Sequence, residues 1–346
     1  MRIEIINGSV EYDGNTVLSE INFSVSDKEK IALVGRNGSG KTSILKCISG
    51  EVPLVSGTGD EKFSFSISGA PKIGYLQQVS LNDELTLRQE ILSAYKDVVG
   101  LENKLQNLLD KMSENPSDEN VGAYSRAMER FENIGGYLYK KEYLTAVSKF
   151  GFSAEDLDKK LSCFSGGQRT KIALMKLLLE KPDVLLLDEP TNHLDFATME
   201  WLENYLKGYS GAVLVVSHDR YFLDNVCTKI WEVSFQTMTT YKGNFSAYLP
   251  QKEAADALRQ KQHDADVALA EKLQDYVDRN LVRASTTKMA QSRRRQLEKL
   301  EITEAPKDET NQLKFRFEYD VEPWNELVML KNLTIKIGDR TLLEPF

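Results

Sequence analysis

The fold is decided by GRNGSGKT, residues 35–42, which follows the apolar run IALV (31–34) and precedes the helix-favouring stretch SILKCISG (43–50). The three glycines let the backbone curl until its N–H groups point inward, and the helix that follows adds the positive end of its dipole. A turn of this kind, between a buried strand and a helix, is a phosphate-binding loop. Lys41 then neutralises phosphate charge, and the hydroxyl of Thr42 is placed to bind Mg²⁺.

A second strand, predicted at VLLLDEP (184–190), ends in two adjacent carboxylates. Asp188 is predicted to lie near the phosphate-bound metal and Glu189 beside it, where a carboxylate orients or deprotonates an attacking water. Without a phosphate loop, two acids at the end of a strand would be interpreted as part of a solvated turn. The phosphate loop earlier in this chain favours the catalytic interpretation. A phosphate loop followed by a strand that ends in acids is the order found in phosphate-loop NTPases.

A third motif, FSGGQ (164–168), begins an amphipathic helix. Ser165 is a good N-cap, and Gly166 and Gly167 leave the N–H groups of the helix start open to an anion. The alternative is a simple helix cap. The FSGGQ motif lies shortly before the two acids, in a chain that already has a phosphate loop. This position favours a second and separate phosphate site.

These motifs resemble those of the ATP-binding cassette superfamily: FSGGQ is followed by LLLDEPTNHLD (185–195) and VVSHDRYFLD (215–224). The PTNHLD form, with YKGNFSAY (241–248), resembles the ABC-F branch, and the resemblance covers nearly the whole chain. It implies ATP and Mg²⁺ as ligands and the α/β fold of a phosphate-loop NTPase. That fold has a mostly parallel central sheet, an antiparallel β subdomain and a helical subdomain with an inserted helical arm, and a long helical linker follows it.

The resemblance also implies roles that spacing alone does not supply. Tyr12 is expected to stack on the adenine, Asp195 to belong to the D-loop, and His218 to sense the γ-phosphate. Without the flanking motifs, Tyr12 and His218 would be an ordinary strand aromatic and a hydrogen-bonded histidine. Gln78 of YLQQ is expected to touch Mg²⁺ and the attacking water, with Gln77 as the alternative for this role.

The complete predicted site combines both lines of reasoning. The residues predicted to bind ATP are Tyr12, Gly35, Asn37, Gly38, Ser39, Gly40, Lys41, Thr42 and Ser43. Those predicted to face the ATP of an opposite cassette are Ser165, Gly166, Gly167 and Gln168. The predicted catalytic residues are Glu189, His218 and Gln78, and the predicted Mg²⁺ ligands are Thr42, Gln78 and Asp188.

Composition changes along the chain predict three parts. Residues 1–250 form the cassette, with a polar helical arm inserted at about 84–150. Residues 251–325 form a helical linker, helical to about 304. The tail, 326–346, loosely repeats the start of the chain and predicts the first strands of a truncated second cassette.

The middle of the linker is basic although the chain as a whole carries a net charge of −8. The cations are Arg279, Arg283, Lys288, Arg293, Arg294, Arg295 and Lys299. The two interpretations of these cations are a local phosphate-binding surface and a solvated helix face, and the second is the usual one for an isolated run of charges. The overall acidity excludes a protein that coats nucleic acid with its whole surface, so any such contact has to be local.

Composition and segment lengths also predict the compartment. The start of the chain has no apolar signal region, and the apolar runs are strand-length rather than about 20 residues long. Three separated cysteines indicate neither a zinc site nor a disulfide framework. A cytoplasmic protein with no direct membrane insertion is expected.

The ABC-F resemblance implies an ATPase that acts on the ribosome, in translation regulation or in antibiotic resistance by ribosome protection. Its partners are a second cassette, from the same full-length chain or a second copy, and ribosomal RNA and tRNA reached by the arm and linker. A single cassette is expected to hydrolyse ATP slowly. The alternatives are the ATPase subunit of a membrane transporter and a non-catalytic scaffold.

Overall fold

A computed structural model describes residues 1–57, 62–114, 117–280, 287–306, 332–338 and 340–343, together with Met329. The chain divides into two compact units, Met1–Ala257 and Leu258–Phe346. The first unit carries all of the motifs described above except the basic linker residues.

The first unit alternates strands and helices, as the sequence predicts. Its strands are β1 (Arg2–Tyr12), β2 (Asn15–Ser26), β3 (Lys30–Val34), β4 (Val55–Ser56), β5 (Ser64–Ser68), β6 (Ile73–Tyr75), β7 (Val184–Asp188), β8 (Ala212–Val216), β9 (Lys229–Ser234) and β10 (Thr237–Lys242). Its helices are α1 (Lys41–Ser49), α2 (Leu87–Leu92), α3 (Lys96–Glu114), α4 (Asp118–Asn133), α5 (Tyr139–Lys149), α6 (Gly166–Leu179), α7 (Phe196–Lys207) and α8 (Arg220–Val226). Helix α9 (Phe245–Asn280) begins in this unit and continues past Ala257.

The central sheet has the strand order β10–β9–β3–β8–β7–β6. The pairs β9–β3, β3–β8, β8–β7 and β7–β6 are parallel, and β10 runs antiparallel to β9. In β7, Val184 and Leu186 pack into one hydrophobic core while Leu185 and Leu187 pack into the other. The continuous apolar run of this strand is therefore buried on both faces, as expected for a parallel sheet covered on both sides.

A smaller antiparallel sheet covers one face of the central sheet. In it, β1 pairs with β2, β4 and β5. The inward side chains Ile3 and Ile5 share a core with α1 and with alternate residues of the parallel strands. This sheet is the predicted antiparallel β subdomain.

Helices cover the other face and include the predicted arm. The segment 84–150 contains α2 to α5, and α3 packs against α4. Phe131, Tyr139 and Tyr143 bury their rings in the helical core. In the part of the chain that the structure describes, no helix is both long and apolar enough to span a bilayer.

The second unit contains the remainder of α9, helix α10 (Thr287–Glu298) and the hairpin β11 (Ile335–Ile337) with β12 (Arg340–Leu343). Helix α10 ends at Glu298, before the predicted end near residue 304. The reason is a set of hydrogen bonds to α9. Asp266 accepts the N–H of Thr303 at 3.1 Å and its hydroxyl at 2.7 Å, and the carbonyl oxygen of Thr303 lies 2.7 Å from Nδ1 of His263. These bonds hold Thr303 against α9 instead of in a helix.

Candidate nucleotide-binding site

The loop between β3 and α1 has glycine where the backbone or its neighbours demand it. At Gly35 (φ 151°) a Cβ would lie 2.2 Å from the carbonyl oxygen of Val233 in β9. At Gly40 (φ 102°) it would lie 2.9 Å from the side chain of Leu18. Gly38 has φ 79° and borders open space, so glycine is favoured there by the backbone angle alone.

Lys41 is buried beneath this loop, with 8% of its surface exposed. Its Nζ donates to the carbonyl oxygens of Gly35 and Arg36, both at 2.8 Å. Burial lowers the pKa of Lys41, and the nearby carboxylates of Glu189 and Asp188 oppose that shift. The ammonium is thus positioned within the loop, and phosphate oxygens are better acceptors than the two carbonyls it now contacts.

Thr42 and Asp188 meet as the sequence predicts. The Thr42 hydroxyl donates to Oδ2 of Asp188 at 2.8 Å. The amide of Gln77 donates to the same oxygen at 2.9 Å, and Tyr75 donates its hydroxyl to Oε1 of Gln77 at 2.8 Å. Of the two candidate glutamines, the structure therefore brings Gln77 to Asp188. The side chain of Gln78 lies outside the described residues, so its role stays a prediction.

These groups suit a magnesium ion bound to a nucleotide. Mg²⁺ prefers oxygen ligands and is held by one or two protein groups together with phosphate oxygens. Thr42 and Asp188 supply a hydroxyl and a carboxylate at one place, and the amide N–H of Gln77 donates to that carboxylate. The donor set therefore fits the predicted ion, whereas no cluster of three or more His, Cys, Asp or Glu occurs among the described residues.

Glu189 follows directly and is held in an unusual backbone conformation, with φ 50°. Its N–H donates to the carbonyl oxygen of Val216 at 2.8 Å, and Oε2 accepts the backbone N–H of His218 at 3.3 Å. The ring Nε2 of His218 lies 3.4 Å from Oε1 of Glu189. Oε1 is buried and accepts no hydrogen bond from the described protein, so it retains capacity to accept one from a water molecule.

The remaining predicted ATP-binding residues surround the loop. Tyr12 ends β1 and donates its hydroxyl to Ser43 at 3.3 Å, which places a 38% exposed residue beside the start of α1. Asn37 is exposed in the loop. The hydroxyl of Ser39 is buried without a protein hydrogen-bond partner in the described residues. All of these residues therefore lie on or next to the glycine loop.

The FSGGQ motif forms a capping box at the start of α6. The side chain of Ser165 accepts the N–H of Gln168 at 3.3 Å, and Gln168 accepts the N–H of Ser165 at 2.9 Å. Gly166 and Gly167 form the first turn, and a Cβ on Gly167 would lie 3.5 Å from His193. The capping box uses the N–H of Gln168 and leaves those of Gly166 and Gly167 available to an anion.

The capping box belongs to a different region from the glycine loop. Within the described ranges, no hydrogen bond or ion pair joins residues 165–168 to residues 35–43. The glycine loop and the capped helix start are therefore two separate elements of the molecule.

Residues 18–192 match the family model described as ABC transporter. The chain belongs to this family of ATP-binding cassettes. A second model with the same description matches residues 231–317. Members of the family are ATPases, and the predicted fold class is confirmed by a solved structure titled "Structure of ATP binding subunit of ABC transporter". The two share a TM-score of 0.53 at 19% identity, over 73% of this chain and 94% of that one.

Curated relatives of the cassette are longer than the chain. Putative ATP-binding protein YdiF of Bacillus subtilis is 40% identical over 97% of this chain and 52% of its own length. ABC transporter F family member 5 of Arabidopsis thaliana is 33% identical over 99% of this chain and 50% of its own length. Probable ATP-binding protein YheS of Escherichia coli K12 is 30% identical over 95% of this chain and 49% of its own length. The cassette chain spans about half the length of the curated relatives it matches.

Asp195 links two helices of the cassette through a contact that the sequence did not reveal. It caps α7 by accepting the N–H of Thr198 at 2.9 Å, and it pairs with Lys171 of α6 at 2.9 Å. Lys171 first, and then the bonds from Thr198, hold the pKa of Asp195 well below its ordinary value. No local spacing rule predicts an ion pair between residues so far apart in sequence.

Gly35→Ala should destabilise the cassette more than Gly38→Ala. Alanine at 35 meets the backbone of β9 and costs more than about 3 kcal/mol of unfolding free energy, whereas alanine at 38 adds only about 1–2 kcal/mol of backbone strain. Thermal unfolding without nucleotide, followed by circular dichroism, measures both. Equal losses for the two variants would contradict the close approach of Gly35 to Val233.

Proposed function

We propose that the chain is the ATP-hydrolysing part of a cytoplasmic ABC-F type protein that acts on the ribosome, in translation regulation or in protection from antibiotics. ATP and Mg²⁺ bind at the glycine loop, and a second cassette completes the site. The observation that carries the catalytic part is the meeting of Thr42, Asp188 and Glu189 at the carboxyl ends of β3 and β7.

Each of these residues has a task that follows from its contacts. Lys41 exchanges its carbonyl acceptors for phosphate oxygens. Thr42 and Asp188 would hold a Mg²⁺ ion, which would neutralise charge on the phosphates. Glu189 orients a water through Oε1, which accepts no hydrogen bond from the described residues. The water gives a proton to Glu189 as its oxygen attacks the γ-phosphorus, and the bond to the β-phosphate oxygen breaks to release ADP. His218 lies beside Glu189, where it would contact the phosphate that forms.

The separation of the capping box from the glycine loop supports hydrolysis between two cassettes. The helix start at Ser165 is an anion site that its own glycine loop does not contact. A second cassette would bring its capped helix to the γ-phosphate bound at the first. ATP then favours the closed pair and hydrolysis releases it, because the γ-phosphate contacts both halves.

The ABC-F assignment is supported by the resemblance of PTNHLD (190–195) and its flanking motifs, and by relatives that carry the name ABC transporter F family. The arm helices α3 and α4 extend the helical subdomain, and a long helix follows the cassette. The arm helices and this long helix are the elements proposed to reach the ribosome.

The ribosomal role is supported by the local positive charge at the end of α10. Within the described residues, Arg295 and Lys299 have no acidic partner within ion-pair distance, and both are exposed. Arg279 and Arg294 pair only with acids one helical turn away, Asp275 at 2.8 Å and Glu298 at 3.0 Å. Such exposed pairs are weak and exchange readily for RNA phosphates.

Arg283 and the side chain of Lys288 lie outside the described residues, so their contribution stays a prediction. Arg293 donates to Gln296 at 2.9 Å rather than to an acid. The end of α10 and the residue that follows it therefore offer a basic surface, defined by Arg293, Arg294, Arg295 and Lys299.

Glu189→Gln should separate ATP binding from hydrolysis. The amide keeps the shape of the side chain but cannot accept a proton, so kcat should fall at least about 100-fold while ATP affinity is kept. Phosphate release and binding of a fluorescent ATP analogue measure the two quantities. Glu200→Gln, an exposed position on α7, is the matched control and should leave both unchanged. Unaltered turnover of the Glu189 variant would remove it from the catalytic role.

Two inactive variants should restore activity when mixed. Lys41→Ala impairs the glycine loop, and Ser165→Arg blocks the capped helix, so each alone should lose most turnover. A mixed pair contains one intact site, formed by the loop of one chain and the capped helix of the other. ATPase activity of the mixture above that of either variant is expected. A mixture no more active than its components would argue against a shared site.

Ribosome binding should depend on ATP and on the basic surface formed by Arg293, Arg294, Arg295 and Lys299. The Glu189→Gln chain is sedimented with bacterial ribosomes, with ATP or ADP, over a range of salt. Arg295→Glu with Lys299→Glu should weaken binding and make the slope of log affinity against log salt less steep by about two. The matched control is Lys28→Glu with Lys207→Glu, which reverses two exposed charges on the cassette. Sedimentation with membrane vesicles instead of ribosomes would favour a transporter subunit.

A further inference from the structure

The helical subdomain contains a cavity that the proposed ATPase chemistry does not use. It lies between α5, α6 and α7 and has a volume of about 390 Å³. Pockets that bind small molecules are of about 300–1,000 Å³, mostly apolar, with a few polar groups at defined places. The size of this cavity therefore suits a compact ligand.

Aromatic rings line one side of the cavity. The ring centroids of Phe150 and Trp201 lie 5.4 Å apart in an edge arrangement, and those of Trp201 and Tyr205 lie 5.2 Å apart and are stacked at 28°. The hydroxyl of Tyr205 donates to the carbonyl oxygen of Leu178 at 2.9 Å, and burial raises the pKa of Tyr205 to about 12. The polar end of Tyr205 is thus engaged by the protein, and the rings provide an apolar wall.

The rim of the cavity carries one uncompensated positive charge. Glu142 pairs with Lys181 at 2.9 Å and also accepts the hydroxyl of Tyr95 at 3.2 Å. Lys141, on the same helix, has no acidic partner within 4.0 Å in the described part of the chain. A negatively charged group at the mouth would therefore be attracted to Lys141.

We propose that this cavity binds a small planar aromatic anion. Its ring system packs against Trp201 and Tyr205, and its acidic group faces Lys141.

A nucleoside triphosphate does not suit the cavity, because one lysine cannot balance several phosphate charges beside an apolar wall. A protein partner does not suit it either, because a stable interface needs about 800 Å² on each side, far more than a cavity of this size presents.

The probe for the test is anilinonaphthalene sulfonate, an aromatic anion that fluoresces when it leaves water. The native chain is titrated in the absence of nucleotide. Lys141→Ala should weaken binding about fivefold through loss of one charge contact. Lys140→Ala is the matched control. It removes the same charge from the neighbouring position, where the lysine pairs with Glu102 at 2.6 Å instead of facing the cavity.

A second pair of variants tests the location directly. Thr145 lines the cavity from an exposed position, so Thr145→Trp should cover its mouth and weaken binding at least about tenfold. Leu144→Trp adds the same ring at an exposed position that does not line the cavity and should leave affinity unchanged. Unfolding temperatures of all variants are measured in parallel. No fluorescence with the native chain, or equal affinity in the Thr145 and Leu144 variants, would overturn the proposal.

Discussion

The nucleotide site depends on how closely β3 and β9 lie together. The loop that leaves β3 passes the carbonyl oxygen of Val233 at a distance where only glycine fits at position 35. This contact fixes the direction in which the loop curls, and hence where Lys41 enters the core. Because parallel strands present their carboxyl ends at one edge, β7 and β8 bring Asp188 and His218 to the same place.

Much of this arrangement could be predicted from sequence because it is encoded locally. The run VLLL specifies a strand buried on both faces, and the spacing from Gly35 to Thr42 specifies the loop. Other features could not be predicted. Which of Gln77 and Gln78 meets Asp188 depends on how β6 pairs with β7, since both glutamines occupy the same turn. The end of α10 depends on hydrogen bonds between Thr303 and a distant helix, and these leave no periodic pattern.

The helical subdomain is tied to the capping box by contacts that are distant in sequence. Glu90 of α2 pairs with Lys176 of α6 at 2.5 Å, and the side chain of Glu90 is only 3% exposed. A buried pair of this kind is strongly destabilising to break, because the remaining charge has no partner. Together with the Lys171–Asp195 pair, it fixes α6 relative to both α2 and α7. The helix whose start is proposed to meet a second cassette is thus held by two ion pairs along its length.

The alternating burial of β7 bears on how related chains can differ in length. Inserting or deleting one residue within this strand would exchange the side chains of its two faces and carry Asp188 away from Thr42. A substitution there alters one buried side chain, whereas a change of length displaces every side chain that follows it in the strand. The hairpin of α3 and α4 stands outside the sheet, so extra residues there leave every strand in register. We therefore expect changes of length to be tolerated in the arm, where they alter its reach and leave the strands that carry the catalytic residues in place.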